Sequence, residues 1–466
     1  MSVAELAAAP ILAAPTPPAK PLSLFQFLRV NETEGLPAII EQAGYEQLIV
    51  EHRTILGRNF LISDPAGVKR VLLDNAANYP KTRMERGAFS AAFGDGLLSS
   101  DGPVWRAHRR IMAPAFDLRS LQAYAPAMAE ASMALVEEWH QAPDGRVVDI
   151  HQAMMQLALR IISRTMFSEG GDGMGALVAR ATNEGFEALG FGLGDLVPGL
   201  RDLRMHSRAR RMARIFAELD AAIHTLIDER ENLGAAGPMD LLGRLIAARD
   251  EETGAGLTRT EIRDQLVTIF IAGHETTAVA MSWIWYLLSQ HPAEAARLHD
   301  ELDRVLGGRA PGHADLAALP YTRRVVEESM RLYPPAPGLS TRAVLEDDEV
   351  CGVRVPRGST VDVAPWVIHR HQRLWDHPER FDPDRFSPER SAGRPRFAYL
   401  PFGGGPRVCI GAALAMTETM LILASIAQHY RLRLAPDQQV VLKHRVTLRP
   451  RDGLKMVVER REKRAE

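Results

Sequence analysis

Cysteine is nearly absent from this 466-residue chain, which has only Cys351 and Cys409. The two lie in different contexts and offer no disulfide framework, which fits a reducing cytoplasm. Net charge is missing too: 56 Lys and Arg stand against 58 Asp and Glu, so no global field argues for a nucleic-acid partner. The N-terminus holds no uninterrupted hydrophobic span. Residues 1–21 are rich in Ala and Pro, lack a basic start, and carry Glu5 and Pro10 inside their short apolar run. Neither a signal peptide nor an integral membrane segment is expected there. No linker forces a division of the rest. Its 46% hydrophobic and 24% charged residues are the composition of a globular protein with a large core. The expected organisation is a flexible Ala/Pro-rich lead over 1–21, one domain over 22–460, and a charged tail over 461–466.

Cys409 stands at the centre of the most patterned stretch, Phe402-Gly-Gly-Gly-Pro-Arg407-Val-Cys409-Ile-Gly411, with an apolar, Ala-rich run of helical character from Ala412. The glycines let the backbone turn tightly and approach a flat ligand closely. The first amides of the following helix would point at the sulfur and stabilise a thiolate. A thiolate held this way suits an axial heme ligand, which pushes electron density onto the iron and favours O–O cleavage.

A second stretch is long rather than dense. Thr258-Arg-Thr-Glu261 is a capping box, and helical sequence then runs to Gln290, where His291-Pro292 stops it, about 48 Å in all. A helix apolar on most faces should be buried. Ala272-Gly273-His274-Glu275-Thr276-Thr277 in its middle is therefore conspicuous. Gly273 is expected to let something approach the backbone, and a threonine hydroxyl bonding locally can loosen the helical ladder. The result expected is a polar notch.

Elsewhere, Trp105 and Arg109 share a helix face, and Glu328 and Arg331 form an i,i+3 pair on a helix that Pro334-Pro335 ends. Residues 47–50 and 59–63 read as strands, and 83–100 as a loop with turns. Residues 350–355 and 360–363 read as a hairpin with Cys351 beside its strand, and 446–450 and 454–458 as closing strands. The basic run over 201–214 reads as a solvated helix face. His369 and His371 lack a second pair of ligands and read as surface or loop histidines.

The phased pattern Phe402-x-x-Gly405-x-Arg407-x-Cys409-x-Gly411 resembles the heme-binding signature of the cytochrome P450 family at every position. Trp105-x-x-x-Arg109, the Ala272–Thr277 notch and Glu328-x-x-Arg331 resemble its other motifs and follow in its order. The resemblance implies a mainly α fold with a smaller β region, the heme lying between the long central helix and the Cys-loop helix. It implies heme b (iron protoporphyrin IX) with the Cys409 thiolate as metal ligand. Arg407, Arg109, Trp105 and Arg342 would hold its propionates, with Phe402, Gly411 and Gly273 completing the cofactor site. Glu275 and Thr276 would be the catalytic acid–alcohol pair that manages protons. Glu328, Arg331 and Arg380 would form a buried ion network bracing the Cys loop. The implied substrate pocket takes Phe89, Ala92 and Phe93 from the stretch over the heme and Phe191 from the lid. Ala272, Ala336, Leu339 and Thr447 complete it.

The implied reaction inserts one oxygen atom from O2 into an apolar molecule: a fatty acid, terpenoid, steroid or alkane. No reductase module follows the Cys loop, so a separate ferredoxin or flavodoxin with its reductase is expected to supply electrons, docking near Arg106 and Arg110. The alternatives are a heme-thiolate peroxygenase or isomerase, and a non-catalytic heme-binding sensor. The Glu275-Thr276 pair argues against the first, and the apolar lid and notch argue against the second.

Overall fold

One helix frames the protein. The Glu261 amide donates to Thr258 Oγ1 at 3.3 Å and the Thr258 amide to Glu261 Oε2 at 2.8 Å, satisfying two donors that a helix start leaves open. From this cap Arg259–Gln290 runs for 32 residues and ends at His291, ahead of Pro292. Almost every side chain from Ile262 to Leu288 is buried, because helices Ile150–Phe167, Pro320–Leu332 and Ala412–Ala427 pack around it. The structure, a computed structural model, describes residues 12–54, 57–168, 177, 180, 198–234 and 237–461.

Polar side chains fix the packing of these helices. Glu301 receives the amides of Tyr321 and Thr322 at 2.8 and 2.7 Å, so a buried carboxylate caps the Pro320–Leu332 helix where its dipole favours negative charge. Trp283 of the central helix stacks on Tyr333 with ring centroids 4.4 Å apart. Its Nε1 donates to Leu448 O at 2.6 Å, which ties the C-terminal hairpin to the same point. Ala13 of the N-terminal lead is held there too: its amide donates to Tyr286 Oη at 3.0 Å and its carbonyl accepts from Tyr333 Oη at 2.8 Å.

The β region is smaller, as expected. A four-stranded sheet has the order Ile49–Thr54, Gly57–Ile62, Thr360–Asp362, Arg342–Ala343 and covers a second core around Phe60, Ile62, Val361 and Leu400. Arg146–Asp149, Lys455–Arg460 and Tyr430–Leu434 form a three-stranded sheet, and Leu442–His444 pairs with Leu448–Pro450. Among the described residues no helix is long and apolar enough to cross a membrane.

Four local expectations fail for physical reasons. The stretch expected as a loop begins with a helix, Arg83–Phe93, capped by Thr82, whose Oγ1 accepts from the Glu85 amide at 3.3 Å. Its charged residues and Gly87 dilute the apolar period, although Phe89 and Phe93 meet at 6.0 Å as i,i+4 neighbours do. The hairpin expected over 350–363 is Asp348–Val350 with Val353–Val355. Cys351 and Gly352 form its two-residue turn at φ 50° and 80°, the backbone such turns need, and Cys351 is exposed. Thr360–Asp362 instead pairs in parallel with Gly57–Ile62. Finally, His369 and His371 are fully buried rather than on the surface. The basic run does lie in a helix, Pro198–Leu233, with Arg210 and Arg214 exposed.

Candidate functional site

The Cys409 loop is shaped by its glycines. Gly403 and Gly405 have φ of 71° and 68°, and a Cβ on Gly405 would collide with the Leu72 carbonyl oxygen; only glycine fits. The Cys409 amide closes the loop onto Phe402 O at 2.9 Å. The thiol is exposed, yet burial pushes its pKa up while the Gly411 amide and the Arg109 guanidinium pull it down. The side chain is therefore accessible and at the same time closely surrounded by protein. Its two partners both favour the thiolate.

The central helix opens at one place. Ala272 is exposed and Gly273 and Thr276 are half-buried, between neighbours that are buried. The ladder is not broken there: Thr276 Oγ1 donates to Ala272 O at 2.6 Å inside an unbroken helix. A Cβ on Gly273 would stand 3.2 Å from Ile162 Cδ1, so the missing side chain makes room for the neighbouring helix, and Ala272 is the residue that opens the window. Thr277, one residue on, donates to Glu418 Oε2 at 3.4 Å and so joins this point to the Ala412–Ala427 helix. Burial pushes Glu418 up to about 8.

Glu275 is held by the C-terminal hairpin. The Thr447 hydroxyl donates to Glu275 Oε1, Arg449 Nη1 lies 3.9 Å from the same oxygen, and Oε2 is buried without a partner. Burial raises the carboxyl's pKa, with Thr447 and Arg449 opposing it. Thr447 is itself buried. Expected to line the pocket, it instead satisfies the acid.

A group of buried cations lies beside the Cys loop. Arg407 stacks over Trp105 at 4.3 Å, pairs with Asp101, and donates to Ser100 O at 3.3 Å. Arg342 is buried with Nε unpartnered and its strand bridges to Lys81. Burial first, then Arg407 and Arg342, pushes Lys81 down to about 8. Asp101 and Glu85 answer these cations only in part, since burial raises Glu85. An unpaired guanidinium nitrogen among three cations is a donor set for carboxylates, and it fits the propionates of a heme. Lys81 escaped sequence reasoning because no pattern marks it; only the tertiary bridge to Arg342 brings it in.

Glu328 and Arg331 are fully buried and bidentate, with Nε to Oε2 at 2.7 Å and Nη2 to Oε1 at 2.9 Å. Arg331 uses its remaining N–H groups on the carbonyls of His369, Pro378 and Arg380 at 2.8, 2.6 and 2.9 Å, so all five donors are satisfied. Arg385 joins the network, 3.3 Å from Glu328 Oε1, and Arg380, the residue expected there, gives Arg331 its carbonyl oxygen. Arg385 lies in the short helical turn Pro383–Phe386 and Arg380 just ahead of it, so one return segment carries both arginines.

The remaining pocket expectations divide. Phe89, Ala336 and Leu339 are half-buried, and Leu339 Cδ2 lies 3.7 Å from where a Cβ on Gly403 would be. Phe93 is taken into the core instead, with Phe216 at 6.1 Å. Ala92 lies in the Arg83–Phe93 helix, and Phe191 is outside the described residues. Of the two docking arginines, Arg106 is exposed, whereas Arg110 pairs with Asp250 and Glu252 at 2.9 and 3.0 Å.

The comparisons agree with this geometry. The family model described as cytochrome P450 matches residues 51–457. "Cyclooctatin synthase" of Streptomyces melanosporofaciens is 37% identical over 390 residues, covering 82% of this chain and 82% of that protein. "Pentalenene oxygenase" of Streptomyces avermitilis is 36% identical over 350 residues, 74% and 76% of the two chains. The crystal structure of cytochrome P450DA heme domain superimposes with a TM-score of 0.82 at 27% identity, over 97% of this chain and 99% of the other. A match across the whole folded length, with the family's motifs gathered in one place, means that the chain belongs to the cytochrome P450 family of heme-thiolate monooxygenases.

Proposed function

We propose that this enzyme hydroxylates or epoxidises a terpenoid hydrocarbon, using heme b on Cys409, O2, and electrons from a ferredoxin or flavodoxin in the cytoplasm. The observation that carries the reading is the opening of an otherwise buried helix at Ala272 and Thr276. A bound heme supplies the oxidising chemistry there. Burial alone favours the Cys409 thiol, and Gly411 N–H and Arg109 oppose it, so a bound iron would complete the stabilisation of the thiolate. Arg407, Arg342 and Lys81 anchor the propionates, with Trp105 stacked beneath Arg407. Thr276 spends its proton on Ala272 O, which leaves its lone pairs to hold a proton-bearing water at that atom. Glu275, the next residue back along the helix, resupplies that proton once its carboxyl turns from Thr447. Ala272, Ala336, Leu339 and Phe89 give uncharged contacts that exclude bulk water and orient an apolar ligand. Support for the substrate class comes from relatives named for pentalenene, and for carotene in the "Carotene epsilon-monooxygenase, chloroplastic" of Arabidopsis thaliana, 30% identical over 433 residues; both compounds are terpenoids.

The test is a titration of the purified holoenzyme with cyclic terpenes, fatty acids and steroids, followed by turnover under ¹⁸O2. Soret shifts confined to terpenes, with one labelled oxygen in the product, are the expected result. Binding of fatty acids alone would overturn the substrate class. A reduced carbon monoxide spectrum that Cys409→Ser leaves unchanged would overturn the ligand assignment.

A further inference from the structure

The notch acid does not share the accessibility of its neighbours. Glu275 is buried while Ala272 and Thr276 on the same helix are accessible. Its carboxyl points instead to the turn between Leu442–His444 and Leu448–Pro450. That hairpin delivers two groups to one oxygen: the Thr447 hydroxyl and, two residues on, the Arg449 guanidinium at 3.9 Å. Thr447 stands in the bend just before the strand that carries Arg449, so both groups reach Glu275 from the turn end of the hairpin. The hairpin is fixed in turn by Trp283 Nε1 on Leu448 O at 2.6 Å and by the Leu448 amide on Pro335 O at 3.0 Å.

We infer that Thr447 is a positioning residue for Glu275: its hydroxyl keeps the carboxyl parked against the C-terminal hairpin and sets when that carboxyl can serve Thr276. This rests on the monooxygenase reading only for its consequence in turnover; the Thr447–Glu275 contact stands apart from it. Pro335 adjoins the half-buried Ala336, so a displacement of that segment would reach the hairpin through the Leu448 amide. Among ionisable groups around Glu275, Arg449 faces it from the hairpin. His274 adjoins it in the helix, with Nε2 at 3.1 Å from Met155 O, and burial takes its pKa down to about 4. On the Ile150–Phe167 helix, His151 meets Ser282 Oγ at 3.0 Å and is likewise taken to about 4 by burial. Both histidines are neutral near pH 7. Glu418 approaches through Thr277 from the other side.

The test reads Glu275 directly. Infrared difference spectra of the resting holoenzyme against pH contain the band of its protonated carboxyl, assigned by its loss in Glu275→Gln. Thr447→Val removes a donor that stabilises the carboxylate, so the band's midpoint should rise by about one pH unit, whereas Thr447→Ser should leave it in place. Arg449→Gln should raise it by less, which keeps the assignment testable if Thr447→Val folds poorly. In turnover, the pH midpoint of kcat should move with the band while KM stays constant. A band unmoved in Thr447→Val, or moved equally in Thr447→Ser, overturns the inference. A shifted band in an enzyme that oxygenates nothing would instead sink the monooxygenase reading and leave the Thr447 assignment standing.

Discussion

The Leu400 amide donates to Nε2 of His369 at 2.7 Å in the interior. His369 gives its own carbonyl to Arg331, and Leu400 stands two residues before Phe402, whose carbonyl receives the Cys409 amide. One continuous path therefore runs from the buried Glu328–Arg331 pair to the Cys409 loop. The ring must be neutral for Nε2 to accept. Burial first, then Arg331 and Arg370, holds it well below its usual range.

His369→Ala should leave the Leu400 amide unpaired and open a cavity, costing about 2–4 kcal/mol. The effect should appear as lost heme occupancy before any loss of helical circular dichroism. Because the folded state binds this proton less readily than the unfolded chain, His369 contributes a stability that falls as pH drops below about 6.5. The variant should lose part of that slope. Unchanged heme content and melting temperature in His369→Ala would remove the ring from the path.

Arg385 and Arg380 make different contributions to the same network. Arg385→Met takes a guanidinium from buried Glu328, and breaking such a network costs about 3–5 kcal/mol. Arg380→Ala keeps the carbonyl that Arg331 uses and leaves the Arg385–Glu328 contact in place, so its effect on this network should be smaller. Urea denaturation of the two variants decides the order; the reverse ranking would restore Arg380 as the third side chain.

Much of this was legible in the sequence because the signals are local. The Thr258 cap, the Pro292 stop and the phased glycines before Cys409 each carry their own mechanism within a few residues. The i,i+3 spacing of Glu328 and Arg331 was legible for the same reason, but their third partner comes from a return segment where several arginines compete. Lys81, His369 and Thr447 were missed or misread because each acquires its role through a tertiary contact that no local pattern announces: Lys81 with Arg342, His369 with Leu400 and Arg331, and Thr447 with Glu275. Gly273 signals a close approach without saying what approaches, and Ile162 is one neighbour that does.

The cations beside the Cys loop should trade stability for cofactor affinity. Lys81 is buried beside Arg342 and Arg407, so its charge costs the empty protein stability and rewards an anionic ligand. Its folded pKa lies below the unfolded value, so stability is lost as pH falls from about 10.5 towards about 8. Lys81→Met should therefore raise the melting temperature of heme-free protein near pH 7 and speed heme transfer to a scavenger protein about tenfold. Slower transfer, or none of the gain in the heme-free form, would exclude Lys81 from the propionate site.

Glu418 offers the opposite sign. Burial raises its pKa from 4.5 to about 8, against the opposing hydroxyl of Thr277. The folded state then holds this proton where the unfolded chain has released it. Stability on this account is full below about 4.5 and is lost as pH rises through about 8. Glu418→Gln keeps an oxygen to accept from Thr277 and carries no charge to release. It should match the parent near pH 4.5 and exceed it at pH 8.5 by at least about 1.4 kcal/mol, the equivalent of one pK unit. Guanidinium denaturation of both proteins across that range measures the difference. Parallel curves would mean that Glu418 ionises freely in the folded protein and that its contact with Thr277 is made by a carboxylate.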